Sequence, residues 1–351
     1  MGGEKEGGLA SCAEVKNRIA LRGVNSGLVA ITGASGFLGR ALAARALVSG
    51  KRVRGLDVLP DPGGFYKSGG NEFVVGDVTQ RAACAALCEG AETVYHTAAV
   101  VRESGPLSLF ERINVGGTSA MLEAAKEAGV RRFVMLSSVM VFGFDYPDGV
   151  AEDGEKGGYD NPYCATKIRS EELAISRNEP SVFDVYVIRP GDVYGPGSVP
   201  WTERPTRMMA ARSWLYVDSN NCLLNHVYVD NLIDAIDLVL ASGKSGLPYT
   251  VTDDQRTTVR AFFGHYQRYL GIRYIPDLPA AFALRSAGLL DRVAAVVGKD
   301  LPLNREAVRY VLRRGQYGIE RIKALGYKPK IGLDVGMAKS VEWLRQMGIG
   351  R

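Results

Sequence analysis

The chain is poor in the residues from which most metal and hydrolytic sites are built. It has 3 histidines in 351 residues, His96, His226 and His265. They stand far apart, and no Cys–His spacing completes a zinc ligand set around them. This counts against a metal hydrolase and against a histidine-centred triad, and no bound metal is expected. Cysteine is also scarce and odd in number. The 5 are Cys12, Cys84, Cys88, Cys164 and Cys222, with no spacing that reads as a disulfide framework. Reduced thiols in the cytoplasm fit that pattern. There is no uninterrupted apolar run of about 18 residues, which a spanning helix requires. Residues 1–26 lack the apolar core of a secretory signal and read as a polar extension. Glu6 stands where a myristoylation signal carries Ser or Thr, so lipidation at Gly2 is rejected.

What is present is ordinary for a globular protein: 46% hydrophobic and 23% charged residues. The net charge of +5, from 43 basic and 38 acidic residues, suits an anionic cofactor or a membrane surface. It does not require nucleic acid, and a small-molecule substrate is the expected partner. Short apolar runs at Leu28–Thr32, Arg52–Asp57, Glu72–Val75, Thr93–His96, Arg132–Leu136 and Asp184–Ile188 read as strands. Helical patterns fall between most of them, at Phe37–Ser49, Ala82–Gly90, Asn114–Ala128 and Tyr163–Arg177. The alternation predicts an α/β fold with a doubly wound, Rossmann-type parallel sheet. Pro196–Pro205 reads as a loop, and Asn231–Ala241 as a helix returning to the sheet. The expected organisation is a nucleotide domain at 27–194 and 229–246, with a smaller substrate-binding region at 195–228 and 247–351.

Thr32-Gly33-Ala34-Ser35-Gly36-Phe37-Leu38-Gly39 joins the first predicted strand to the first helix. Its glycines permit a tight turn, approach of a pyrophosphate to the backbone, and close helix–strand packing. The helix N-terminus then offers N–H donors to the phosphates. Asp57 ends the second strand, where a carboxylate binds the adenosine ribose hydroxyls and repels the extra phosphate of NADP. NAD is therefore favoured, with NADP kept open by the nearby Arg40, Lys51, Arg52 and Arg54. Asp77 and Val78 follow the third strand, where Asp77 meets the adenine edge.

Tyr163 and Lys167 are four residues apart, on one face of a predicted helix. A free tyrosine, with a pKa near 10, is too weakly acidic to be a good base at neutral pH. Lowering it by about three units needs roughly 4 kcal/mol, about what one cation roughly 4 Å away supplies in a partly shielded site. In a chain with 16 tyrosines such a pair arises readily by chance. Ser138 gives it context: it follows the fifth strand at the rim where open α/β sheets bind ligands, and its hydroxyl suits the reacting oxygen.

Taken together, TGASGFLG, the Asp57 strand end, GDVT, HTAA, NVGGT, SSVMVFG, YCATK and RPGDVYGPG resemble the extended short-chain dehydrogenases/reductases, the NAD-dependent epimerase/dehydratase superfamily. The likeness is strong over about 28–241 and loose beyond. It implies Ser138, Tyr163 and Lys167 as the catalytic residues, with Lys167 also on the nicotinamide ribose. It implies that Gly33, Ser35, Gly36, Phe37, Leu38 and Gly39 hold the cofactor. Ala98 and Ala99 line it, Asn114 supports the active-site helix, and Pro190, Gly191 and Val193 pass near the nicotinamide. A homodimer through the Asn114 and Tyr163 helices is expected on the same ground.

The resemblance also bears on the substrate. Nucleotide-sugar members typically carry Asn where this chain has Asp192, and a carboxylate there would repel a diphosphate. HVYVDNLIDA is instead similar to the 3β-hydroxysteroid dehydrogenase branch, which implies an apolar, steroid-like substrate. Met140, Asp192 and Trp201 are the expected substrate contacts. Leu278–Val297 is apolar with interspersed charges, read as a core-packing helix with peripheral membrane contact as the alternative. The basic stretch 305–330 reads mainly as solvated helix faces.

Overall fold

The computed structural model describes residues 27–66, 69–102, 104–297 and 305–350, with side chains of 289–297 excluded. The expected polar extension 1–26 and Cys12 therefore lie outside the described residues. Seven parallel strands form the central sheet: β1 (Leu28–Thr32), β2 (Arg52–Asp57), β3 (Glu72–Val75), β4 (Ala91–His96), β5 (Arg132–Leu136), β6 (Asp184–Pro190) and, late in the chain, Pro248–Val251. Their spatial order is 3-2-1-4-5-6 with Pro248–Val251 added beyond β6. Reversal between β1 and β4 makes a crevice at the carboxyl ends of these strands, the usual ligand position in such sheets. β1 is buried along its whole length, as both-face coverage demands.

One face is covered by α1 (Phe37–Val48) and by Val229–Ser242. The other is covered by α2 (Arg81–Cys88), α3 (Leu107–Phe110) with its π-helical continuation Glu111–Gly116, α4 (Gly117–Glu127) and α5 (Pro162–Ser176). The apolar strand residues divide between these two cores, which is why the strands read as continuous apolar runs rather than alternating ones.

The remaining elements are β7 (Asp192–Tyr194), α6 (Arg204–Ala210), β8 (Tyr216–Val217), β9 (Leu223–Leu224), β10 (His226–Tyr228), α7 (Val229–Ser242), β11 (Pro248–Val251), β12 (Thr257–Thr258), α8 (Val259–Tyr269), β13 (Asp277–Leu278), α9 (Ala280–Val297), α10 (Arg305–Val311), α11 (Glu320–Ala324) and α12 (Leu333–Gln346). Two expectations change here. The sheet extends past residue 246, because β11 pairs with β6 from Pro248↔Val187 to Val251↔Pro190. Pro196–Pro205 is not all loop: Val199–Glu203 forms a π-helical turn that runs into α6. Pro200 and Pro205 fall in first-turn positions, where a missing N–H costs nothing.

The segment expected to pack or to meet a membrane forms α9. Its Ala283 and Ala287 are buried against Val217 and Val308, while Phe282 is exposed. Among the described residues no helix is long and apolar enough to cross a membrane.

Candidate active site

The Gly33–Gly39 turn leads from β1 into α1. A Cβ at Gly39 would collide with the Gly33 carbonyl oxygen, so the close crossing of strand and helix requires glycine there. Gly36 is the N-cap residue of α1 and supplies no side-chain cap. The first turn thus keeps its orphan N–H groups and the positive end of a 12-residue helix for an anion. The Asp57 carboxylate accepts from Ser35 N at 3.0 Å and from Leu59 N at 3.1 Å, which fixes it beside the turn. Arg54, one reason to keep NADP open, is spent elsewhere: it pairs with Glu72 at 2.6 Å and donates to the carbonyls of Ala86, Leu87 and Glu89 at the end of α2. These features fit a dinucleotide with a free ribose 2′-hydroxyl.

Beneath the turn lies a closed polar network that the motifs did not disclose. Thr118 Oγ1 donates to Asn114 O at 2.6 Å, so it accepts from His96 Nε2 at 3.1 Å. His96 Nδ1 is then the acceptor from Thr32 Oγ1 at 2.9 Å. Thr32 Oγ1 in turn accepts from Thr97 N and Ala98 N. Burial, with Lys167 nearby, holds His96 down to about 3, so the ring is neutral at physiological pH. Ala98 and Ala99 are half-buried just after β4. Asn114 links this segment to α5: its Oδ1 accepts from Val100 N at 2.7 Å and its Nδ2 donates to Thr166 Oγ1 at 3.2 Å. Asp77 accepts from Thr79 N and faces Arg112, and Val78 is buried against Gly117.

Ser138, Tyr163 and Lys167 converge at the carboxyl end of β5. Ser138 caps a short 3-10 turn by accepting from Met140 N at 3.1 Å, and its hydroxyl lies close enough to that of Tyr163 to influence it. Asn161 starts α5 by accepting from Tyr163 N and Cys164 N. Lys167 is buried, donates to Leu136 O at 2.8 Å and stands 5.9 Å from the Tyr163 ring centre. Burial pulls its ammonium down to about 8 against the opposing pull of Glu171. Burial also pushes Tyr163 up to about 12, with the Ser138 side chain acting the other way. Burial is the larger influence on Tyr163 in the protein by itself. The lysine is itself desolvated and is anchored on the Leu136 carbonyl.

A model of the NAD dependent epimerase/dehydratase family matches residues 29–252, more than half of the chain. The chain belongs to that family. It is an NAD-dependent enzyme of the extended short-chain dehydrogenase/reductase type. It shares 27% identity with an uncharacterized Escherichia coli protein, YbjS, over 91% of this chain and 98% of that protein. It shares 30% with a 3-beta-hydroxysteroid dehydrogenase of Mycolicibacterium neoaurum, over 65% of this chain and 66% of that protein. The fold matches the Streptomyces venezuelae dTDP-glucose 4,6-dehydratase DesIV with NAD bound, at TM-score 0.73 and 24% identity over 91% of this chain and 97% of the other.

Against this family frame, three expectations are corrected. Asp192 is buried, and its carboxylate is occupied within the protein: both its oxygens bind Arg313 Nη2, at 3.0 and 2.8 Å, and it also takes the Tyr310 hydroxyl and Asn225 N. The repulsion argument fails because Arg313 cancels the charge. That same arginine is wholly buried, so the basic stretch 305–330 is not simply a set of solvated faces. Met140 is also buried; it packs with Phe144 and Cys164 behind Tyr163 and Tyr310. Trp201 is half-buried and lies 5.6 Å, centre to centre, from Tyr310. At Gly191 a Cβ would collide with Asn225 O, so close chain approach by itself accounts for that glycine. The neighbouring Val193 pairs in register with Val227.

Several other residues that shape the site carried no motif. Glu171, one turn after Lys167, receives Arg189 Nε at 2.9 Å and Ser137 Oγ at 2.8 Å. Burial raises its carboxyl, but Arg189, Ser137 and Lys156 outweigh burial and hold it below the usual range. Its i, i+4 spacing from Lys167 was the only available signal. Tyr310 and Arg313 offered none.

Proposed function

We propose that this enzyme interconverts a secondary alcohol and a ketone on an apolar, steroid-like molecule. Ser138, Tyr163 and Lys167 act as its catalytic residues, while the Gly33–Gly39 turn and Asp57 hold NAD. The carrying observation is the convergence of the Ser138–Tyr163 hydroxyl pair with buried Lys167 beside a wall whose arginine is already spent. Arg313 donates to Asp192, to Tyr310 O at 2.8 Å and to the Tyr317 hydroxyl at 3.4 Å. None of its charge remains for a sugar-nucleotide diphosphate.

NAD, when bound, supplies the hydride acceptor or, reduced, the hydride. The protein supplies the proton and the geometry. With Tyr163 near 12, its phenol is protonated at neutral pH and donates from Oη to the ketone oxygen as that oxygen gains charge. Ser138 donates a second hydrogen bond to the same oxygen. Lys167, an ammonium below about 8, favours the phenolate that remains. The reverse, alcohol oxidation, requires that proton to leave first and so accelerates as pH rises.

The test is a parallel screen of 3β-hydroxysteroids and UDP- or dTDP-sugars with NAD, read at 340 nm and by product analysis. Net NADH formation with an apolar alcohol is expected, and Tyr163→Phe should lower that rate by about 10³-fold. Conversion of a nucleotide sugar without net absorbance change would overturn the reading in favour of an epimerase or dehydratase.

A further inference from the structure

Lys167 and Glu171 stand one turn apart on α5, and both are buried. They fasten the helix to neighbouring residues at the end of β5. Lys167 Nζ donates to Leu136 O at 2.8 Å, and Ser137 Oγ donates to Glu171 Oε2 at 2.8 Å. Ser138 is the next residue along. Arg189, at the end of β6, donates through Nε to Glu171 Oε2 and through Nη2 to Oε1. Its Nη1 is taken by the Glu152 carbonyl at 2.6 Å, and its guanidinium lies over the Phe142 ring. Arg189 is buried too, so one carboxylate ties β5, β6 and α5 together out of contact with water.

The charges in this cluster are not evenly matched. The Leu136 carbonyl is a neutral acceptor, so Lys167 finds no counterion where its ammonium is anchored. A buried ammonium without a countercharge tends to give up its proton. Glu171 acts on it from the next turn of the same helix, pulling against burial. Also facing Lys167 are Tyr163 on α5 and His96 on β4, which is neutral. Facing Glu171 are Arg189 from β6, Ser137 from the end of β5, and Lys156, 3.4 Å away, from the segment ahead of α5. The Arg169–Glu111 pair joins α5 to the π-helical segment at the surface. We propose that Glu171 is a positioning residue that acts on the reaction through Lys167: it gives the buried ammonium its countercharge, while Arg189 and Ser137 hold that carboxylate in place. The inference rests on Lys167 being catalytic, as read above, and not on the identity of the substrate.

The experiment follows the titration of Lys167 in the whole chain, labelled with lysine carrying 13C at Cε. The Lys167 signal is the one lost in Lys167→Met. In the native protein its midpoint should fall near 8. Glu171→Gln with Arg189→Met removes both charges together and strands neither in the interior. It should lower the midpoint by about one unit or more, a tenfold rise in the acid dissociation constant. Arg189→Lys disturbs the forked contact but keeps Glu171 and its charge, and should leave the midpoint within about half a unit. A midpoint within about half a unit of native in the double variant, or an equal fall in Arg189→Lys, would overturn the countercharge role. Failure of the catalytic assignment shows separately, as unchanged turnover in Lys167→Met, whatever the titration gives. Urea unfolding identifies a double variant that fails to fold. Glu171→Leu with Arg189→Met, which fills the space with apolar groups, then replaces it under the same criteria.

Discussion

Around Gly33–Gly39 the groups offered to a ligand are backbone N–H donors, and the side chains that fix them are near in sequence: Ser35 and Asp57 are 22 residues apart. Around Tyr310 the groups are side chains brought from far away: Asp192 and Arg313 are separated by 121 residues, Asn161 and Glu306 by 145. The first region is built from helix dipoles and a neutral His96 network. The second shuts a full ion pair in the interior, where each charge depends on its partner. A site of the first kind tolerates loss of single polar contacts, because backbone donors cannot be mutated away. A site of the second kind fails when either half is removed.

Breaking the pair gives the largest effect. Arg313→Met leaves Asp192 buried without its countercharge and should cost about 3–5 kcal/mol in urea unfolding, whereas Asp192→Leu with Arg313→Met should recover most of it. The exposed pair Arg256–Asp148, 3.1 Å apart, is the control, and Asp148→Ala should cost less than about 1 kcal/mol. Similar losses at the two pairs would erase the contrast.

Lys167 tests the region between. Its folded value of about 8 lies below the usual 10.5, so between those values the unfolded chain binds a proton that the folded chain does not. Stability contributed at this position therefore rises with pH from about 8 to 10.5, by at most about 3 kcal/mol. The native protein minus Lys167→Met, compared by urea unfolding at pH 7.5 and pH 9.5, should show that slope; a flat difference would remove the case for a desolvated ammonium.

The smallest effect belongs to the backbone-built side. Asp57→Asn keeps an acceptor for Ser35 N but removes the charge, and should shift the ratio of kcat/KM for NAD over NADP about 10-fold toward NADP. No change in that ratio would mean that Asp57 only supports the turn.

The same contrast explains what reading the chain revealed. Strands β2, β3 and β5 stand where their apolar runs placed them, and the helices differ from expectation mostly at their ends. Gly33–Gly39, Asp57, Ser138, Tyr163 and Lys167 were visible because each sits at a strand end or one helical turn from a partner. β11 was missed because a four-residue run, Pro248–Val251, with polar Thr250 inside it does not say which strand edge it joins. Asp192 was misread because its charge was judged without Arg313, and the His96 tautomer follows only from Thr118 donating to Asn114 O.

By itself the sequence determined the parallel α/β sheet, the dinucleotide turn and the identity of the Tyr–Lys helix, since periodicity, glycine geometry and i, i+4 spacing are local consequences of backbone sterics. Tertiary structure alone decided that Lys167 is desolvated, that Asp192 is neutralised and that Tyr310 stands beside Tyr163. Those are matters of burial and of Coulomb partners, and both depend on which distant segments the packed core brings within a few ångströms.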